Sequence, residues 1–248
     1  MSPTVYLVSG ANRGIGLELV TQLAARDNVV VFAGARNPST AKDLHTLESK
    51  YPGKVYTVKL TSPDVTDNKA VVAKIKEIVG RLDVVICNAG IMNSFVPSER
   101  VSLDDMRETF EVNVLGPLVL FQATYQLLKA SSDSPKFILI ASAAGSVEVG
   151  TKFPVPFLPY GTTKAAANWL MVKLHYEYPG LVSVPVHPGS VKTDMGTSAR
   201  EQVPEIADAP MITSEEGVKG VLSVIDSAKR DEVSGPKLMN YDGSILPW

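Results

Sequence analysis

TVYLVSGANRGIGLELV, residues 4–20, passes from a β-branched and apolar run through a glycine-rich turn into an apolar helical pattern. A chain that turns sharply from strand to helix needs residues without a Cβ, and Gly10, Gly14 and Gly16 supply them with GxxxGxG spacing. Because the N–H groups at a helix N-terminus attract anions, such a turn also suits the pyrophosphate of a dinucleotide. The spacing differs from the GxGxxG fingerprint, so the turn by itself indicates either a nucleotide site or only a tight turn.

The rest of the chain continues this alternation of strand and helix. The candidate strands are TVYLVS, VVVFAG, KVYTVKL, DVVICN, KFILIAS, LVSVPVH and KLMNY. The candidate helices span residues 15–27, 38–50, 67–79, 103–129, 160–178 and 215–229. The pattern predicts one α/β domain over residues 1–248, a doubly wound Rossmann-type sheet of about seven mostly parallel strands with helices on both faces.

Composition excludes several classes of partner. The chain has 24 basic and 26 acidic residues, a net charge of -2 and 45% hydrophobic residues. This balance disfavours nucleic acid and anionic membranes, and no apolar run approaches the ~20 residues of a membrane span. The single cysteine, Cys87, lies in an apolar strand, which favours a core position over a reactive thiol and rules out an internal disulfide. The N-terminal residues enter a strand without a signal segment, so we expect a cytoplasmic protein.

The charges near the glycine turn bear on the choice of nucleotide. A fold specific for NAD places Asp or Glu at the end of the second strand, but here FAGARNPS carries Arg36, and no acid precedes Asp43. Arg36 and Arg13 together suit the 2′-phosphate of NADP(H) through charge-assisted hydrogen bonds. The alternative is that Arg36 is only a solvated charge at a strand end.

Tyr160 and Lys164, in the segment LPYGTTKAAANW, form a candidate acid/base pair. Residues four apart share one face of a helix, so the ammonium lies one turn from the phenol. An unperturbed phenol, with a pKa of about 10, needs help to transfer protons at neutral pH. A cation at ~5 Å in an effective dielectric of ~20 supplies about 3 kcal/mol toward the phenolate, so we expect Lys164 to lower the pKa of Tyr160.

Two further polar residues favour a catalytic role for Tyr160 and Lys164 over a spacing that arose by chance. Ser142 ends the strand KFILIAS, where it would hold a substrate carbonyl oxygen. Asn113 lies in the apolar pattern MRETFEVNVLGPLVLF, where an amide is costly unless it is hydrogen-bonded. Asn113 would bind a water that carries protons away from Lys164.

Six ordered motifs resemble those of the short-chain dehydrogenase/reductase family. They are SGANRGIG, NAG at 88–90, Asn113, Ser142, YGTTK at 160–164 and PGSVKT at 188–193, and they span nearly the whole chain. Within that family the chain resembles the carbonyl reductase and sniffer-like branch, especially fungal ketoreductases of the norsolorinic acid type, through VKLTSPDVTD and MNYDGSILPW.

The resemblance implies an NADP-dependent oxidoreductase that reduces a ketone or aldehyde to an alcohol. It makes Tyr160 the acid/base, Lys164 the residue that lowers its pKa and holds the nicotinamide ribose, Ser142 the residue that polarises the carbonyl, and Asn113 a support of the proton relay. The implied cofactor-binding residues, besides Tyr160 and Lys164, are Gly10, Asn12, Arg13, Gly14, Ile15, Gly16, Arg36, Thr61, Asn88, Ala89, Gly90, Pro188, Gly189, Val191 and Thr193. The other hypothesis is a catalytically idle nucleotide sensor or partner-binding protein on the same fold.

The chain departs from the family pattern at two places. Where much of the family has an Asp after the third strand, this chain has Thr61, with Asp64 three residues later, and which of them reaches adenine stays open. The long segment between Ser142 and Tyr160 makes Ser146 a rival for the serine role.

The sequence indicates a substrate pocket less specifically than it indicates the cofactor site. Residues 195–211 are expected to form a lid, and Met92, Phe153 and Met195 are candidates for an apolar substrate pocket or for simple packing. His175 and His187 lack the spacing of a metal site, and no Gly-x-Ser-x-Gly elbow indicates a serine hydrolase. A homodimer or homotetramer through the helices at 103–129 and 160–178 fits the resemblance, although packing within one subunit explains these apolar helices equally well.

Overall fold

The β-branched runs all form strands in the computed structural model, which describes residues 2–248. The strands are β1 Thr4–Val8, β2 Val29–Ala35, β3 Val55–Lys59, β4 Val84–Cys87, β5 Lys136–Ile140, β6 Val182–His187, β7 Leu238–Asn240 and β8 Ile245–Leu246. They form one sheet in the order β3-β2-β1-β4-β5-β6-β7-β8, in which every neighbouring pair is parallel except β7 and β8. The doubly wound, mostly parallel sheet is thus confirmed, with one strand more than expected. Met1, part of the domain expected over 1–248, lies outside the described residues.

The eighth strand was missed because it is too short to show a β pattern. Ile245–Leu246 pairs antiparallel with β7 across the turn that contains Asp242 and Gly243. Gly243 has a φ of 86°, a left-handed value that favours glycine in a tight turn.

Helices fill the connections between the parallel strands. They are α1 Gly14–Ala24, α2 Lys42–Lys50, α3 Val65–Ile78, α4 Leu103–Phe110, α5 Gly116–Ser131, α6 Leu158–Glu177, α7 Asp194–Gln202 and α8 Ser214–Ser227. The helix expected over 103–129 is present as α4 and α5, which a π-helical turn, Glu111–Leu115, joins without a gap. The segment expected as a lid contains α7 and a 3-10 turn, Pro204–Ile206.

Both faces of the sheet are covered by apolar side chains from these helices. On one face, Leu23 of α1 and Leu222 of α8 pack in a cluster with Val8 and Val31. On the other face, α3, α5 and α6 contribute to a second cluster, whose members include Ile75, Leu128 and Met171. Two covered faces explain why the strands are apolar at nearly every position.

Cys87 belongs to the second cluster and is buried, as its apolar strand predicted. Burial raises the pKa of its thiol, so the reactive thiolate form is disfavoured at neutral pH.

The strand order creates the crevice for a site. Strand β1 pairs with β2 on one side and β4 on the other, so the chain winds in opposite directions from the middle of the sheet. Loops that leave the carboxyl ends of β1 and β4 therefore diverge, and open α/β sheets bind ligands at this point.

Candidate active site

An open cleft of about 340 Å³ lies at the carboxyl ends of the strands. It brings together residues from the glycine turn, the ends of β2, β3, β4 and β5, the start of α6 and the loop after β6. The expected site residues that line it are Gly10, Asn12, Arg13, Gly14, Ile15, Arg36, Thr61, Asn88, Ala89, Gly90, Tyr160, Lys164, Pro188, Thr193 and Met195. Segments separated by more than a hundred positions in the chain thus share one cleft.

The glycine turn is a cradle that side chains would fill. A Cβ built on Gly10 would lie 2.8 Å from the Cα of Ala89, and one on Gly16 would lie 2.2 Å from the carbonyl oxygen of Gly10. Asn88 holds the turn in place, since its Nδ2 donates to the carbonyl oxygens of Ser9 at 3.0 Å and Gly10 at 2.9 Å. The turn leads into the N-terminus of α1, where backbone N–H groups suit the pyrophosphate of a dinucleotide.

The cationic side chains expected at the nucleotide end both reach the cleft. Arg13 and Arg36 line it, and among residues 2–248 no carboxylate forms an ion pair with Arg36. Arg13 has a partner that was not expected, because its Nη1 lies 2.8 Å from Oδ2 of Asp194, in the first turn of α7. Both side chains of this pair are largely exposed, so the bond is weak enough for a phosphate to compete.

Tyr160 and Lys164 line the cleft from the first two turns of α6. The Lys164 Nζ lies 5.6 Å from the centre of the Tyr160 ring and donates to the carbonyl oxygen of Ile140 at 2.8 Å. It also lies near Gly90, where a Cβ would be 3.7 Å from this Nζ. The i, i+4 spacing therefore places both groups on one face, as expected.

Burial shifts the pKa values of both members of this pair. Burial raises the pKa of Tyr160 above 10.0, and the hydrogen bond with Ser142 acts in the opposite direction. Burial also lowers the pKa of Lys164 from 10.5 to about 8. Both groups are removed from water, which disfavours the charged form of each. Burial thus outweighs any lowering of the Tyr160 pKa in the protein alone, and the prediction that Lys164 lowers this pKa stays a prediction.

Asn113 lies in the π-helical turn and is almost fully buried. Its Oδ1 accepts from the backbone N–H of Ile91 at 2.9 Å, and its Nδ2 donates to the carbonyl oxygen of Ile91 at 2.9 Å and to Oγ1 of Thr163 at 3.1 Å. These bonds satisfy the amide that looked costly in an apolar helix. Because the Asn113 amide is hydrogen-bonded to other groups of the protein, its part in a proton relay stays a prediction.

The two candidate serines have different environments. Ser142 follows β5, accepts from the N–H of Ala144 at 3.2 Å and contacts the phenol of Tyr160. Ser146 is buried, and its Oγ accepts from the N–H of Val149 at 3.0 Å. Only Ser142 is thus joined to the phenol, which favours it for the serine role.

The choice between Thr61 and Asp64 also has a geometric answer. Thr61 lines the cleft, whereas the Asp64 carboxylate caps α3 by accepting from the N–H of Asp67 at 2.9 Å. The geometry therefore favours Thr61 as the residue closer to a bound nucleotide.

Three cofactor candidates support the cleft without lining it. Gly16 lies inside the first turn of α1, and Gly189 has a φ of 85° beside Ile212 and Tyr241. Val191 is buried and forms a parallel bridge with Ile212. These contacts hold the loops that carry Pro188 and Thr193, which do line the cleft.

The three substrate candidates do not gather in one pocket. Met195 lines the cleft, but Met92 and Phe153 are absent from its lining. Phe153 packs edge to face against Phe157, whose ring in turn packs against Tyr160. An apolar substrate pocket of these three residues therefore stays a prediction.

No helix within residues 2–248 has the length and hydropathy required to cross a bilayer. Over the same range, no cluster of His, Cys, Asp and Glu side chains has the arrangement of a metal site. His175 and His187 lie apart, on α6 and β6.

Sequence reasoning missed three polar residues that shape the site. Ser9 holds the segment after β4, because its Oγ accepts from the backbone N–H groups of Asn88 at 3.0 Å and Ala89 at 3.1 Å. Thr163 and Asp194 contact Asn113 and Arg13, as described above. Each directly precedes or follows a predicted site residue, and that adjacency was the available signal.

Comparison with known proteins agrees with this geometry. A family model described as short chain dehydrogenase matches residues 4–204. Norsolorinic acid ketoreductase nor1 of Dothistroma septosporum is 36% identical over 250 residues, which cover 99% of this chain and 92% of that protein.

Solved structures give the same result. NADPH-bound carbonyl reductase from chicken fatty liver superposes with a TM-score of 0.87 at 32% identity, and carbonyl reductase Sniffer of D. melanogaster with 0.85 at 26%. Both alignments cover 100% of each chain. With its sheet order, its glycine turn and its tyrosine and lysine pair, the chain belongs to the short-chain dehydrogenase/reductase family of oxidoreductases.

Proposed function

We propose that this protein is an NADPH-dependent carbonyl reductase that converts a ketone or aldehyde to an alcohol. The observation that carries the proposal is that Tyr160 and Lys164 line the same cleft as Arg13 and Arg36. When bound, NADPH supplies the hydride, and the protein supplies the proton and the orientation of the substrate.

Tyr160 is the proton donor in this proposal. Because burial raises the pKa of its phenol, the side chain is protonated at neutral pH, which is the form that reduction of a carbonyl requires. Ser142 contacts the same phenol, so a carbonyl oxygen placed between the two hydroxyls would accept from both. This pair stabilises the negative charge that develops on the oxygen during reduction.

Lys164 supplies positive charge close to Tyr160. Its pKa of about 8 leaves most of the side chain protonated at pH 7. Its bond to the carbonyl oxygen of Ile140 fixes the Nζ at the end of β5, 5.6 Å from the phenol ring centre. As Tyr160 loses its proton, this ammonium stabilises the phenolate, and the cleft-lining Nζ is also placed to hold a ribose hydroxyl.

NADPH rather than NADH is the proposed cofactor. Arg36 lies just beyond the end of β2 without a carboxylate partner among the described residues, and Arg13 starts the helix that faces the pyrophosphate. The related carbonyl reductase from chicken fatty liver was solved with NADPH bound, which supports the same cofactor here. Thr61, Asn88, Ala89 and Gly90 would line the adenosine side.

Replacement of Tyr160 by phenylalanine tests the chemistry. We expect turnover of a panel of ketones and aldehydes to fall by about 10²-fold or more, with NADPH affinity nearly unchanged, since only the proton donor is removed. Tyr176→Phe is the matched control, because Tyr176 lies on the same helix and is 63% exposed. Activity retained in Tyr160→Phe rejects the mechanism. A wild-type protein that binds NADPH but reduces no member of the panel supports an idle nucleotide sensor instead.

Cofactor choice has its own measurement. Fluorescence titration should show tighter binding of NADPH than of NADH, and Arg36→Ala should weaken NADPH binding by about tenfold to 100-fold, as expected for loss of one charge-assisted contact. NADH binding serves as the internal control, because NADH has no 2′-phosphate. Equal affinities for the two cofactors in the wild type would contradict the assignment.

A further inference from the structure

The hydroxyl of Thr163 is a buried polar group for which the proposed reaction has no use. Thr163 lies on α6 between Tyr160 and Lys164 and is 0% exposed. Its Oγ1 donates to the carbonyl oxygen of Tyr160 at 2.9 Å and accepts from Nδ2 of Asn113 at 3.1 Å. The side chain therefore joins the helix that carries the acid/base to the π-helical turn.

These bonds can run in only one direction. A threonine hydroxyl has a single proton, and Thr163 gives it to the carbonyl oxygen of Tyr160, so toward Asn113 it acts as an acceptor. This requires Nδ2 of Asn113 to face Thr163 and its Oδ1 to face the N–H of Ile91. The backbone of Ile91 and the hydroxyl of Thr163 thus fix the amide together.

The other end of this chain of bonds lies in the cleft. The Asn113 amide holds both the N–H and the carbonyl group of Ile91, which lines the cleft beside Gly90. A Cβ on Gly90 would lie 3.2 Å from Oδ1 of Asn113 and 3.7 Å from Nζ of Lys164, so the packing here leaves little freedom. Hydrogen bonds thus connect Thr163, through Asn113, to the wall of the cleft beside Lys164.

We propose that Thr163 is a positioning residue, which sets the place of Tyr160 and Lys164 relative to the Gly90–Ile91 wall through the amide of Asn113. The inference rests on the proposed carbonyl reductase function. It assigns the side chain no contact with substrate or cofactor. Its effect is on geometry, and a small displacement of reacting groups reduces turnover strongly.

Valine in place of threonine is the direct test, because it keeps the β-branched shape and removes the hydroxyl. With saturating NADPH, Thr163→Val should lower kcat by between about tenfold and 100-fold while the affinity for NADPH changes less than about twofold. Thr163→Ser, which keeps the hydroxyl, should restore kcat to within about threefold of the wild type. The matched control is Thr162→Val, because Thr162 also gives its hydroxyl proton to a carbonyl oxygen of α6, that of Leu158, but is exposed.

A purely structural role would give a different result. In that case Thr163→Val would lower the melting temperature but leave kcat per folded molecule at the wild-type value, and this outcome overturns the inference. If the valine variant does not fold, Thr163→Ala, which is smaller, carries the same comparison with Thr163→Ser. A wild type without carbonyl reductase activity rejects the proposed function and with it this inference, whereas an active wild type with an equally active Thr163→Val or Thr163→Ala rejects the inference alone.

Discussion

Replacement of Lys164 by methionine is expected to change how the stability of the protein depends on pH. The side chain is 5% exposed, and burial lowers its pKa from 10.5 to about 8. Between these two values the unfolded chain binds more protons than the folded protein, so stability rises as pH increases through this window. Below pH 8 both states are protonated, and the folded state bears the full cost of a buried charge.

The size of the effect follows from the two pKa values. A lowering from 10.5 to about 8 corresponds to a cost of about 3.4 kcal/mol when the ammonium is charged in both states. From pH 7 to pH 10, about 2.5 kcal/mol of this cost disappears from the wild type. Methionine also leaves the carbonyl oxygen of Ile140 without its donor, but that loss is nearly the same at every pH. The free energy of unfolding of Lys164→Met, measured relative to that of the wild type, should therefore fall by about 2.5 kcal/mol between pH 7 and pH 10.

Urea unfolding at pH 7, 8, 9 and 10, followed by tryptophan fluorescence, measures this difference. Tyr160, whose pKa is raised, contributes in both proteins, so comparison of the variant with the wild type isolates Lys164. Lys173→Met is the control, since Lys173 lies on the same helix, half exposed, with its Nζ 3.0 Å from Glu177, and should follow the wild-type curve. A free-energy difference between Lys164→Met and the wild type that is constant from pH 7 to pH 10 would refute the reasoning.

Two further predictions concern the cleft. Asp194→Asn should free Arg13 and tighten NADPH binding by at most about fivefold, because the exposed ion pair competes with a 2′-phosphate. A titration should show no change for NADH. Weaker binding of both cofactors would instead show that the pair holds α7 in place. Ser142→Ala should lower kcat by about 10²-fold. Ser146→Ala should retain kcat but lose about 1 to 3 kcal/mol of stability in urea unfolding, because it leaves the N–H of Val149 without an acceptor. The reverse pattern would assign the serine role to Ser146.

Much of the fold could be predicted from local sequence signals. A β-branched run is apolar on both faces only where both faces are covered, so the strands and their parallel arrangement followed from composition and spacing. The same signals failed where the chain departs from regular periodicity. The apolar pattern across 103–129 continues through the π-helical turn. One wider turn shifts the spacing of apolar residues too little for the sequence pattern to reveal it.

The sequence by itself determined which chemical groups are present and where they lie along individual helices and strands. The i, i+4 spacing of Tyr160 and Lys164, and the position of Ser142 at the end of a strand, are properties of single elements. Only the tertiary structure decided how these groups behave. Burial moves the pKa of Lys164 and Tyr160 in opposite directions, and partners far apart in the chain, such as Arg13 with Asp194, meet only after folding. The physical reason is that burial and long-range hydrogen bonds depend on what surrounds a side chain, which periodicity along the chain does not encode.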